Sequence, residues 1–266
     1  MAIPSPDHRN YAAVSMEEGD LMKVALPVLE PPSAQARAMA GFGSLLLDAA
    51  LAGLLLFMVV DRTAPPQDLP WKPFSLNQPI GLATSGKLAR IAADPARCKA
   101  ALAAGKVAFT ETPAKRDGFC STLDSGRVGG GALSPAGPVM TCKEALAFTL
   151  WNRQVLRPAA RDILGAEVAA IDHYGTYACR RVYGQSSGRI SEHAHANAFD
   201  FAGVRLRDGR RVTVAAHFSD EGPRGRFLRA ARDGACKVFR VTLSPDYNAA
   251  HHDHLHLDMG PFRTCR

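Results

Sequence analysis

Along the chain, apolar residues fall into three patterns, and each predicts a different kind of element. From Gly41 to Val60 they form one nearly unbroken run, GFGSLLLDAALAGLLLFMVV, with a single charge at Asp48. That run is close to the ~20 apolar residues a helix needs to cross a bilayer. Asp48 near mid-membrane costs on the order of 2.5–3.5 kcal/mol, which the surrounding Leu, Phe, Met and Val offset. Val60 leads into Asp61-Arg62 and then Pro65-Pro66 with no small-residue cleavage site, so the run reads as an uncleaved signal anchor rather than a cleaved leader. A buried core helix is the competing reading, disfavoured because proline-rich chain follows at once.

The flanks of that run lack periodicity. Residues 1–40 carry Pro4, Pro6, Pro27, Pro31 and Pro32, and residues 61–93 begin with a further proline-rich tract. The first reads as a disordered tail on the cytoplasmic side and the second as an extended linker. A folded domain is expected over 94–266, where the pattern turns regular. Asp94-Pro95 gives an N-cap and first helical residue, with Gly105 as the stop, and VAFTE at 107–111 reads as a strand. Thr141 and Glu144 make a capping box for a helix through CKEALAFTLWNRQ, and Pro158 opens another ending at Gly165.

Beyond Gly165 alternation takes over. FAGVRLR and RVTVAA flank Asp208-Gly209, a dipeptide suited to the positive φ angles of a tight turn, which predicts a hairpin over about 200–216. A helix near 224–233 and a strand over KVFRVTL at 237–243 follow. Helices first and antiparallel strands afterwards predict an α+β domain: a single antiparallel sheet with flanking helices, preceded by one transmembrane helix.

Charge and cysteine content add a compartment to this picture. Residues 1–40 carry Arg9, Lys23 and Arg37 against Asp7, Glu17, Glu18, Asp20 and Glu30, a balance of −2, so the net charge of +7 stands at +9 beyond residue 40. Such an excess suits nucleic acid, anionic lipid or an anionic polymer, and by itself selects none of them. Cys98, Cys120, Cys142, Cys179, Cys236 and Cys265 all follow the apolar run, and none forms a C-x-x-C pair. An even number at wide spacing reads as up to three disulfides, with Cys236 and Cys265 the favoured pair because it ties down the last residues. Arg37 before the run and oxidised cysteines after it predict the same topology, with the C-terminal domain outside the cytoplasm.

Candidate chemistry concentrates in SEHAHANAFD at 191–200 and HHDHLHLD at 251–258, which hold six of the nine histidines beside acidic residues. Zinc takes neutral imidazole and carboxylate ligands, and a catalytic site uses three of them and keeps a fourth position open. His193, Asp200 and His256 supply such a set. Alternate residues of a strand share a face, so His254 points the same way as His256. A solvent-exposed histidine-rich loop is the competing reading, weakened because two separate segments each pair histidine with carboxylate.

The spacing S-x-H-x6-D with a distant H-x-H resembles the zinc signature of the LAS metallopeptidases, the superfamily of D-Ala-D-Ala carboxypeptidases, lysostaphin-type endopeptidases and the hedgehog amino-terminal domain. More narrowly, ACRRVYG, SEHAHANAFDFAGVRLRDGR and SPDYNAAHHDHLHLDMG resemble the bacterial extensin-like C-terminal domain family over about Cys98 to Cys265. The resemblance implies one zinc ion on His193, Asp200 and His256, with Ser191 holding the loop that presents His193 and His251 supporting the site. It leaves two readings of the general base, His254 or the carboxylate of Asp253, and offers Arg180 for the substrate carbonyl or carboxylate. The implied function is a membrane-anchored zinc peptidase acting on peptidoglycan peptides, single-pass in a bacterial inner membrane with its domain in the periplasm and no nucleic-acid partner. A zinc module that binds wall peptide or a protein without cutting is the alternative.

Overall fold

The computed structural model describes residue 31, residues 33–129 and residues 132–266; most of the expected tail over 1–40 lies outside the described residues. The chain divides into Met1–Val59 and Val60–Arg266. The first unit is represented by helix α1, Ala34–Thr63. Its stretch Arg37–Thr63 holds an 18-residue window with a mean hydropathy of 2.2 that is wholly unburied, so the helix could span a membrane by length and composition.

The second unit starts earlier than the sequence pattern predicts. Residues 61–93 were expected as an extended linker, but Thr84–Ala92 form helix α2, and Leu76 and Leu88 are buried in the hydrophobic core. Their apolar side chains are too sparse among prolines and glycines to register as a pattern, yet each reaches the core. Helix α3, Pro95–Ala104, follows with Asp94 as its cap, the carboxylate accepting from the N–H groups of Ala96 and Arg97.

Short strands come next: β1 Ala108–Glu111, β2 Lys115–Asp117, β3 Cys120–Thr122, β4 Ser125–Gly129, β5 Leu133–Ser134 and β6 Val139–Thr141. Helix α4, Cys142–Trp151, continues through a π-helical turn at Asn152–Leu156 into α5, Arg157–Leu164, which Gly165 closes at φ 65°. Pro158 has no N–H to donate, and the widened turn accommodates it within one continuous helix. The remaining elements are β7 Val168–Gly175, β8 Ala198–Leu206, β9 Arg211–Thr213, α6 Val214–His217, α7 Pro223–Ala235, β10 Val241–Leu243, β11 Leu255–Asp258 and β12 Thr264–Cys265.

The fold is mixed α+β, but the expected single antiparallel sheet is not what forms. Among the described residues there are three sheets: β1-β4-β6, β2-β3, and a large one in the order β12-β10-β11-β8-β7-β5 with β9 added to β8. The large sheet is mixed, because β5 runs parallel to β7 and β12 parallel to β10. Both parallel strands are two residues long and carry no alternation, so a periodicity reading does not see them. The hairpin is present, with Gly209 at φ 86° in its turn, but it ends at Thr213. There the Thr213 hydroxyl accepts from the N–H of Ala216, capping α6 where a strand was expected. Likewise the strand expected over 237–243 shrinks to Val241–Leu243, since the N–H groups of Val238 and Phe239 both turn back to Ala235.

The core explains how β8 and β11 present chemistry. Phe199 and Phe201 of β8 stack on Phe148 and Trp151 of α4, with ring centroids 4.8 and 5.3 Å apart, and Leu255 and Leu257 of β11 join the same core. Side chains alternate across a strand, so Asp200 and His256 face the opposite side. Gly203 lets β9 approach: a Cβ there would lie 2.3 Å from the carbonyl oxygen of Val212. Three disulfides, Cys98–Cys142, Cys120–Cys179 and Cys236–Cys265, use all six cysteines, and the favoured C-terminal pair is among them.

Candidate metal centre

Two strands and one tight turn assemble the site. Asp200 and His256 are directly opposite residues of the antiparallel β8 and β11 pair, so their side chains meet by register alone. His193 arrives from a 3₁₀ turn over Glu192–His195, which Ser191 caps by accepting the N–H of His193 on its hydroxyl. The turn ends at Ala196 in the left-handed region, φ 51°, and Asn197 then locks it. The Asn197 amide donates to Glu192 and its carbonyl oxygen accepts from the Thr141 hydroxyl, while the Cys120–Cys179 bridge fixes the neighbouring strand β3 to the segment ahead of the turn.

The three side chains converge. His193 Nε2 lies 3.1 Å from an Asp200 oxygen and 3.2 Å from His256 Nδ1, and that Nδ1 is 3.0 Å from the other Asp200 oxygen. A tetrahedral zinc ion with donors at about 2.0–2.1 Å spaces them about 3.3–3.4 Å apart, the order of these contacts, and one ligand atom from each residue lies within 4.8 Å of the others. The far nitrogens are also committed. His193 Nδ1 faces the carbonyl of Thr176 at 3.2 Å and His256 Nε2 faces Asp258 at 3.0 Å, so with a metal ion bound each ring would donate outward and turn a lone pair inward. Among the described residues this is the group whose ligand atoms lie together closely enough to hold a metal ion.

Electrostatics agree with a cation at this point. Burial works against ionisation of Asp200, but the hydrogen bonds from His193 and His256 outweigh it and hold the carboxyl well below the usual range. Burial likewise opposes charge on His256, yet Asp200 and Asp258 together push its pKa up to about 10. In the absence of metal, a proton on this ring offsets one of the two carboxylate charges, and a metal ion would displace it.

His254 and Asp253 stand just before β11. The strand alternation expected to aim His254 reaches neither it nor Asp253, because the strand begins at Leu255. Asp253 instead bonds His254 Nδ1 at 2.8 Å, and His254 Nε2 reaches to 3.6 Å from Asp200. The Tyr174 hydroxyl is pushed up first by burial and then by the charge of Asp253. His251 sits behind them with Nδ1 on Asn248, ringed by Tyr247, His254 and His256, and burial followed by the charges of those two histidines lowers its pKa to about 4. It is therefore a neutral packing group at ordinary pH, its Nδ1–H donating to the Asn248 side-chain carbonyl oxygen.

His193, His251, His254, His256 and Asp258 line one cavity of about 550 Å³, together with Arg180, Ser191, Arg189 and the aromatic side chains of Tyr183, Tyr247 and Phe262. Sequence reasoning missed Asp258, Thr176 and Glu192. Asp258 was recoverable from the continued alternation H-L-H-L-D; a backbone carbonyl such as that of Thr176 leaves no trace in sequence. His195, close to the ligands in sequence, points elsewhere and bonds the Ser121 hydroxyl.

No curated protein and no solved structure was found to match this chain. Residues 96–266, more than half of the chain, match the family described as extensin-like protein C-terminus, and the chain belongs to that family.

Proposed function

We propose that the domain is a zinc-dependent peptidase held outside a bacterial cytoplasmic membrane by α1 and acting on the peptides of the cell wall. The carrying observation is the triangle of His193, Asp200 and His256, with both imidazoles oriented by acceptors on their far nitrogens, beside an oriented third histidine. The spacing of these residues and of H-x-H supports the LAS placement. Bound there, zinc would supply Lewis acidity and lower the pKa of water toward ~7. The chain's own contributions follow from position. Asp253 keeps the proton on His254 Nδ1, leaving Nε2 to accept a proton from the attacking water and pass it to the leaving amine. Arg180, on the cavity wall, pairs with a substrate carbonyl or carboxylate. The excess positive charge beyond residue 40 suits an anionic wall, and a helix that could span a membrane with three disulfides after it suits an extracytoplasmic domain.

The test is incubation of the zinc-loaded full chain with purified peptidoglycan, followed by mass spectrometry of released fragments and elemental analysis of the protein. We expect one zinc per chain and peptide-bond cleavage products. If a His193→Ala, Asp200→Ala double variant keeps most of the zinc, the ligand assignment fails. If zinc is bound and wall peptide is retained but never cut, the domain is a binding module.

A further inference from the structure

A second cavity, of about 280 Å³, lies on the opposite kind of chemistry. It is lined by Pro70, Trp71, Lys72, Phe74, Lys87, Arg90, Ile91 and Arg97, four cationic side chains and no carboxylate. Its place in the chain is what gives it meaning. Asp61, in the last turn of α1, accepts from the indole N–H of Trp71 at 2.7 Å and from the ammonium of Lys72 at 2.8 Å. The wall of the cavity is thus bonded to Asp61, the residue that directly follows the apolar run 41–60, so the chain itself keeps it within a few residues of a bilayer surface where that run spans a membrane.

The charges facing it are only partly balanced. Lys72 has Asp61, and Arg97 has Asp94 at 3.4 Å. Lys87 donates to the carbonyl of Pro66 and Arg90 to that of Pro70, neutral acceptors that bring no negative charge of their own. Asp68, the other acidic group near Lys87, accepts the N–H of Leu82. Lys87 is 3% exposed, so a charge is held here inside the fold rather than on a freely moving surface side chain. Trp71 is about half exposed beside it, and tryptophan favours the membrane–water interface, where one end of the ring is apolar and the other wet.

We propose that this cavity binds the phosphate of an anionic phospholipid headgroup, with Arg90, Arg97 and Lys87 on the phosphate and Trp71 and Phe74 against the glycerol and upper acyl region. The site is independent of the catalytic reading: it uses none of the metal-centre residues. Bound lipid would fix the folded domain against the membrane surface instead of leaving it on a free tether.

The full chain, reconstituted in nanodiscs of phosphatidylcholine with and without phosphatidylglycerol, tests this by native mass spectrometry of the lipid carried off by the protein. Wild type should retain phosphatidylglycerol in preference to phosphatidylcholine. Each arginine replaced in Arg90→Gln, Arg97→Gln should weaken that preference roughly fivefold. A charge-matched Lys115→Gln, Arg116→Gln pair on exposed β2 should leave it unchanged. Arg97→Gln alone, at a mostly exposed side chain, keeps the test valid if the double variant misfolds. Equal retention of both lipids, an equal loss in the β2 control, a wild-type preference in the cavity variants, or inorganic phosphate binding as well as the lipid would each overturn the proposal.

Discussion

His254 and Asp253 give the sharpest case at the scale of single residues, because the 2.8 Å contact between them makes the carboxylate act through the imidazole. His254→Ala should lower peptide hydrolysis by about 10²–10⁴-fold with zinc retained. Adding Asp253→Asn to it should cost nothing further, since residues that act as a unit are non-additive. A double variant well below His254→Ala in kcat would give Asp253 an independent role as base. Glu144 makes a different point. It was expected to return its carboxylate to Thr141 as half of a capping box, but the Thr141 N–H bonds Ala196 instead, and both Glu144 oxygens are buried without a partner. Burial, and then Asp258, raise its pKa well above the ordinary value. The unfolded chain loses this proton above about pH 4.3 while the folded one keeps it, so folding binds a proton and stability falls as pH rises through that window. In metal-free protein, Glu144→Gln should therefore gain in Tm relative to wild type as pH rises from about 4 to 7; a pH-independent difference would refute the assignment. The convergence of His193, Asp200 and His256 was legible in sequence because histidine beside acidic residues in two separate segments leaves a pattern. The fate of Glu144 was not, because a cap depends on which backbone group arrives nearby.

At the scale of elements, sequence reading succeeded where a signal is local. Asp94 and Pro95 start α3, Gly165 stops α5, and Gly209 turns the hairpin, each through a backbone preference of the residue itself. It failed where an element owes its place to distant partners. The two-residue strands β5 and β12 exist because β7 and β10 have free edges beside them. The segment 61–93 folds because Leu76 and Leu88 find the core cluster that includes Leu102 and Leu146. Leu88→Ala should thus cost about 2–5 kcal/mol of unfolding free energy, read from denaturant midpoints, as for a side chain fully enclosed in a core. A change within about 0.5 kcal/mol, the range of surface substitutions, would return the segment to the status of a linker.

For the whole molecule, the argument joins redox state to topology. All six cysteines lie beyond α1 in the chain and all six are paired, and disulfides persist where the surroundings are oxidising. The bridges do not merely accompany the site. Cys120–Cys179 holds the strand beside the His193 turn, and Cys236–Cys265 holds the end of the chain beside β10, the neighbour of the strand that carries His256. Closing loops of this size stabilises a fold by about 2–4 kcal/mol each, so a domain made in a reducing compartment would lose a large share of its margin and the geometry of its ligands. Native protein should accordingly show no free thiol on titration in denaturant, remain with the membrane fraction after high-salt washing, and have its domain cut by protease added to spheroplasts but not to inside-out vesicles. Reduction should lower Tm and zinc retention together. Four or more free thiols, or protection in spheroplasts, would place the domain on the cytoplasmic side and remove the wall from its reach.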